Sequence, residues 1–64
     1  MQNSHDLYTD LGRKAAQAGN KQDDVLEQVY SDRFRKALNG EQGLGRMQAE
    51  LIFNETYTAY RRIG

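Results

Sequence analysis

The sequence has 64 residues, in which nine lysines and arginines balance nine aspartates and glutamates, and it contains no cysteine. So short a chain allows one domain, residues 1–64, whose thin hydrophobic core only about offsets the entropy lost on ordering the chain. The missing cysteines exclude disulfides and the common zinc frameworks, and the balanced charge excludes a long-range field toward nucleic acid or anionic membranes. Oligomerisation or a partner protein is the remaining source of stability.

Helical spacing of apolar residues predicts a first helix over about residues 5–18. Ser4 is a good N-cap, and Gly19 is the expected stop. Gly12 lies inside the helix, where glycine costs about 1 kcal/mol relative to alanine, so we expect the first helix to be the weakest of the three. Its apolar face comprises Leu7, Tyr8, Leu11, Ala15 and Ala18.

A second helix is predicted over about residues 24–39, with Asn20 or Asp23 as its N-cap and Gly40 as its stop. Arg33 falls within the apolar face, where we expect its aliphatic stem to lie along the apolar surface; a carboxylate partner is the alternative. The face itself comprises Leu26, Val29, Tyr30, Phe34, Ala37 and Leu38, with Val25 at the margin.

The third helix, predicted over about residues 44–62, carries apolar residues on two sides. At about 100° per residue, one group fills a broad arc and a second group lies opposite. One neighbouring helix cannot cover both sides, so we expect this helix to lie between its own chain and either a second copy or a different protein. The broad arc comprises Ala49, Ile52, Phe53, Tyr57, Ala59, Tyr60 and Ile63, and the opposite side comprises Leu44, Met47 and Leu51.

The short connection between the second and third helices favours an antiparallel helical hairpin, with the first helix lying across it. No segment alternates apolar and polar residues over a strand's length. The sequence therefore predicts an all-α fold of three helical segments dominated by this hairpin, and a dimeric assembly. No apolar run approaches the roughly 20 residues that span a bilayer, so we expect a cytoplasmic protein without membrane contact.

The residues capable of chemistry do not form a recognisable motif. The glycines of residues 40–45 lack the lysine–serine or lysine–threonine ending of a nucleotide-binding loop, which favours a helix–helix turn. His5 has no second histidine to assist it, and Asp23, Asp24 and Glu27 lack the spacing of a calcium loop. We therefore expect no catalytic residue, no cofactor, no metal and no small-molecule substrate.

Tyrosine and arginine are enriched at protein interfaces, and both occur near the end of the third helix. The predicted function is binding to a larger protein as an inhibitor, an anti-activator or an accessory subunit, and the size alone suggests a small bacterial or phage protein. The predicted interaction residues are Tyr57, Tyr60, Arg61 and Arg62, together with Leu44, Met47 and Leu51.

The alternative function is that of a dimeric DNA-binding regulator. A nucleic-acid surface would need basic residues aligned on one face. Asp32, Glu41 and Glu50 are interspersed among them, which favours an ordinary solvated surface. The candidate nucleic-acid contacts are Arg33, Arg35, Lys36 and Arg46.

Overall fold

The structure is a computed structural model that describes residues 4–63. Within that range the chain forms three α-helices and no strand, so the predicted all-α class is confirmed. Residues 1–3 and 64 of the predicted domain lie outside the described range. The helices are α1 (Ser4–Asn20), α2 (Asp24–Asn39) and α3 (Arg46–Ile63).

α1 continues through Gly19, its predicted stop, and ends with Gln22 in the left-handed conformation at φ 59°. The backbone N–H of Asp23 donates to the Ala18 carbonyl at 2.9 Å, and that of Gln22 donates to the Gly19 carbonyl at 3.0 Å. This pair of bonds is the Schellman motif, in which the left-handed residue is usually glycine. Asp23 then caps α2, because its carboxylate accepts a hydrogen bond from the Leu26 N–H at 3.1 Å.

α1 runs antiparallel to α2 and parallel to α3. Tyr8, near the start of α1, donates a hydrogen bond to Glu41 just beyond the end of α2, and it packs with Ile52 in the first half of α3. Asn20, at the end of α1, donates a hydrogen bond to the Tyr60 carbonyl near the end of α3 at 2.9 Å. The three helices thus form an up-down-up bundle in which most helix–helix contacts involve α1.

The predicted dominance of an α2–α3 hairpin is not confirmed. These two helices approach each other mainly through long side chains, such as the rings of Phe34 and Phe53, which stack with centroids 4.0 Å apart. α1 meets α3 more closely, since a Cβ added at Gly12 would lie 2.8 Å from the Phe53 carbonyl oxygen and 3.0 Å from Thr56 Cβ. Small residues at a crossing allow two helices to approach closely. α1 is therefore the most buried helix, although Gly12 lowers its intrinsic propensity.

Tyr8 is fully buried where α1, α2 and the connecting loop meet, with its ring edge-on to Phe34. Burial, assisted by the Glu41 carboxylate 2.8 Å away, raises the pKa of Tyr8 to about 12. The second oxygen of Glu41 accepts hydrogen bonds from the N–H groups of Leu44 and Gly43, at 2.8 and 3.0 Å. The Leu44 amide, followed by the Tyr8 hydroxyl, holds the pKa of Glu41 below its usual range. The Glu41 carboxylate therefore accepts the hydrogen bonds that the loop N–H groups could otherwise donate to a bound anion. This supports the prediction of a helix–helix turn rather than an anion-binding loop.

Candidate protein-binding surface

Two of the predicted interaction residues are part of the folded core. Leu44 packs against the buried cluster at the start of α3. Tyr57 is half-buried beside Phe53, and its hydroxyl donates to Oε2 of Glu27 in α2 at 2.9 Å. Burial, followed by the Glu27 carboxylate, raises the pKa of Tyr57. Both side chains thus stabilise the bundle itself.

Tyr60 and Arg61 join the end of α3 to the end of α1. The Asn20 side chain donates to the Tyr60 carbonyl at 2.9 Å, and the Arg61 guanidinium donates to Oδ1 of Asn20 at 2.7 Å. Gly19 makes room for this cluster, because a Cβ there would collide with the Glu27 carboxylate and lie 3.3 Å from Nε of Arg61. The Tyr60 backbone and the Arg61 side chain therefore have partners within the chain.

Met47, Leu51 and Arg62 are the predicted interaction residues that face away from the bundle. Met47 is 87% exposed and Leu51 is 49% exposed, whereas Ile52 and Phe53 are buried. α3 therefore carries apolar side chains on two sides, as its sequence predicts. The seven predicted residues are nevertheless divided among the core, the cluster at the helix ends and the outer side of α3, so they do not form one continuous surface.

A different apolar surface lies on the first half of α2. Val25 is 78% exposed, and Leu26 and Val29 are each 38% exposed; we call these three residues the α2 strip. The apolar pattern assigns Leu26 and Val29 to the face that packs inside and Val25 to its margin, yet all three side chains remain partly exposed. α2 is turned so that Glu27 lies toward α3, and Leu38 is its one buried residue. The apolar face of α2 is thus wider than the bundle covers.

Arg33 lies over the ring of Tyr30 beside this strip, with its guanidinium carbon 5.6 Å from the ring centroid. That is a cation–π geometry, and it agrees with the expected position of Arg33 along the apolar surface. A guanidinium group in the middle of an apolar face stays hydrated when it can. Arg33 is therefore the sequence signal that this side of α2 faces water.

A shallow groove between α1 and α2 adjoins the strip, and we call it the α1–α2 groove. Leu26 belongs to both surfaces, and Tyr30 connects the groove to Arg33. Lys14 of α1 and Lys21, just beyond the end of α1, lie along the opposite wall. The residues that line the groove are Lys14, Gln17, Ala18, Lys21, Leu26 and Tyr30.

The candidate nucleic-acid residues Arg33, Arg35, Lys36 and Arg46 are all exposed, but they do not converge. Arg33 and Arg35 are about 200° apart around α2 at the usual helical rotation. Arg46 begins α3, beyond the connecting loop. These four residues therefore do not form one basic face on this chain.

Comparisons with protein-family models, characterised proteins and solved structures give no match for this chain. Across residues 4–63, no group of three or more histidine, aspartate and glutamate side chains is placed to hold a metal ion. No helix in the described part of the chain is long and apolar enough to cross a membrane. The surface of the bundle is therefore the basis for an inference about function.

Proposed function

We propose that this protein is a non-enzymatic, cytoplasmic binding module that docks on a larger protein through the α2 strip, as an inhibitor, an anti-activator or an accessory subunit. The observation that supports the proposal is the exposure of Val25, Leu26 and Val29 along one side of a helix. Contiguous apolar surface on a small domain is typical of an interaction site, because water is a poor environment for it.

Burial of the strip would contribute measurably to the affinity for a partner. Full burial of a valine or leucine side chain contributes about 1.5–3 kcal/mol, so covering the exposed fractions of 78%, 38% and 38% contributes roughly 2–5 kcal/mol in total. That is a factor of at least about thirty in the dissociation constant. Loss of the strip should therefore abolish most measurable binding to the partner.

The decisive experiment compares two sets of serine substitutions at neighbouring positions of α2. Val25→Ser combined with Val29→Ser removes the two valines of the strip without changing charge, whereas Gln28→Ser alters an exposed polar residue beside it. Both variants should remain helical by circular dichroism. The wild type and Gln28→Ser are expected to capture the same partner from a lysate of the native host, as identified by mass spectrometry. The double variant should bind that purified partner more than tenfold more weakly, and equal binding by all three proteins would refute the proposal.

The homodimer predicted from the sequence would use the outer side of α3. Met47 and Leu51 are exposed there, on a different helix from the α2 strip, so a second copy could bind without blocking the partner. Sedimentation equilibrium at micromolar concentration should give twice the monomer mass for the wild type and the monomer mass for Met47→Glu. If the wild type is a monomer, the predicted homodimer is wrong, but the proposed binding to a partner protein is unaffected.

The alternative of a DNA-binding regulator predicts a different dependence on salt. Replacing phosphate counterions with Arg33, Arg35, Lys36 and Arg46 would make affinity for a DNA duplex fall steeply as salt rises. Binding through the α2 strip should depend far less on salt. Tight, salt-sensitive DNA binding that survives the double serine substitution would favour the alternative.

A further inference from the structure

The charged residues that line the α1–α2 groove are both basic. Lys14 of α1 and Lys21, in the turn just after α1, line one wall, and Arg33 lies against Tyr30 on the α2 side. Lys14 is paired with Asp10 at 2.9 Å. Among residues 4–63, no carboxylate lies within ion-pair distance of Lys21 or Arg33.

At the start of α2, Glu27 and Asp23 are engaged elsewhere, and Asp24 does not line the groove. The Glu27 carboxylate accepts a hydrogen bond from the Tyr57 hydroxyl on the α3 side, and Asp23 accepts one from the backbone of α2. Neither therefore neutralises the cations of the groove. The result is an apolar surface of Leu26, Val29 and Tyr30 beside Lys21 and Arg33, which could each form an ion pair with a carboxylate of a ligand.

The geometry of the groove selects the form of the ligand. It lies between two helices and offers no strand edge, so an extended peptide has no backbone groups to pair with, whereas a helix can lay its apolar side chains in such a groove. Leu26, Tyr30 and Arg33 lie at spacings of four and three residues on one side of α2. Lys14 lies in α1 and Lys21 in the turn just after it, and both border the groove.

We infer that the partner contributes an acidic amphipathic helix, which docks in the α1–α2 groove with its apolar side on Leu26, Val29 and Tyr30 and its carboxylates near Lys21 and Arg33. This inference rests on the proposed function and names the chemistry of its partner. Opposite charges at the rim of an apolar contact steer the approach and fix the orientation of the bound helix. An anionic membrane would also match the charges, but the strip consists of only three aliphatic side chains, two of them more than half covered.

Nuclear magnetic resonance titration of the isotope-labelled chain provides the first test. The probe is a synthetic helical peptide of four turns with leucines along one side and glutamates elsewhere. One control peptide has lysine in place of every glutamate, and a second has serine in place of every leucine. The glutamate peptide should shift the amide signals of Lys21, Leu26, Tyr30 and Arg33, and neither control should do so. No shift at millimolar glutamate peptide, or equal shifts with the lysine peptide, would overturn the inference.

Charge reversal provides the second test. Lys21→Glu combined with Arg33→Glu should weaken binding of the glutamate peptide by about tenfold, since attraction at the rim becomes repulsion. The same change should allow the lysine peptide to bind, because its charges are then attracted to the rim. The matched control, Arg35→Glu combined with Arg62→Glu, changes the net charge equally at exposed positions away from the groove. It should bind the glutamate peptide like the wild type. Equal weakening by both double variants would mean that only net charge matters, which refutes the docking site.

The outcomes separate this inference from the proposed function. If the serine variant of the α2 strip loses the native partner while the Lys21 and Arg33 reversal binds it normally, the partner chemistry is wrong and the binding function stands. If the serine variant binds the native partner normally, the proposed function fails. Retention of the chain on vesicles of phosphatidylserine and phosphatidylcholine, abolished by the charge reversal, would replace the acidic helix with a lipid surface.

Discussion

Replacing Gly12 with alanine tests whether α1 and α3 touch along their backbones. Helix propensity alone predicts that Gly12→Ala stabilises the protein by about 1 kcal/mol, because Gly12 lies in the interior of α1. The structure predicts the opposite sign. The new methyl group would lie 2.8 Å from the Phe53 carbonyl oxygen, 3.0 Å from Thr56 Cβ and 3.3 Å from the Tyr57 backbone nitrogen.

Two of those three atoms belong to the backbone of α3, so the helix itself must move to accept the methyl group. Overpacking of this kind costs about 1–3 kcal/mol, and we take the upper end because no flexible side-chain end can swing aside. The net loss is then about 2 kcal/mol, a large part of the roughly 3–10 kcal/mol expected for a domain of this size. The melting temperature should fall by about 8–16 °C.

Gly19→Ala is the matched control, since Gly19 lies in the same helix and gains the same propensity. Its new methyl group would meet the ends of Glu27 and Arg61, two flexible side chains that can move. The gain of about 1 kcal/mol is then offset by a similar loss of the Glu27–Tyr57 hydrogen bond, so stability should change little. Urea unfolding and thermal melts followed by circular dichroism measure both variants. If Gly12→Ala melts at or above the wild-type temperature, the close approach of α1 and α3 is wrong.

Three further predictions concern the turn after α1 and the two ends of the pH range. Gln22→Gly should raise stability by about 0.5–1 kcal/mol in urea unfolding, because a left-handed φ of 59° strains glutamine but not glycine; a loss of stability would contradict this. The raised folded pKa of Tyr8, about 12 against the usual 10.0, means that its contribution is complete below pH 10 and is lost between pH 10 and 12. The melting temperature of Tyr8→Phe should change less with pH across that range than that of the wild type. If both proteins lose the same stability at alkaline pH, the contribution assigned to Tyr8 is wrong. The pKa of Glu41 is lowered from 4.5, so its contribution to stability is present above that value and is lost as the pH falls through the folded pKa. Glu41→Gln should therefore have a lower melting temperature at neutral pH and lose less stability in acid. Identical acid profiles for the two proteins would refute the link between Glu41 and acid stability.

The helices themselves could be predicted because their signals are local. The α2 boundaries at residues 24 and 39 agree with the structure, since an aspartate cap and a terminal glycine act within one turn. The end of α1 could not be predicted in the same way. Gly19 has the composition of a helix stop, but it is used to make space for Glu27 and Arg61, which come from distant parts of the chain.

The position of α1 at the centre of the bundle could not be predicted from the sequence for a related reason. Apolar patterns give weight to large side chains, and α1 contributes mostly small ones to its crossing with α3. Gly12 and its alanine neighbours contribute little apolar area, yet they determine how closely two backbones approach. The sequence instead favours α2 and α3 as the principal pair because the connection between them is short. The buried small residues of α1 are Gly12, Ala15, Ala16 and Ala18.

The sequence does not show which part of the wide apolar face of α2 packs inside the bundle and which part faces water. α1 and α3 close tightly over Gly12, whereas α2 rests on the ring of Phe53 through its own Phe34. Leu38 is the one buried residue of α2, so much of its apolar face stays outside. Val25 and Val29 lie in that uncovered part. A partner that binds this part of α2 therefore would not need to open the closely packed α1–α3 pair.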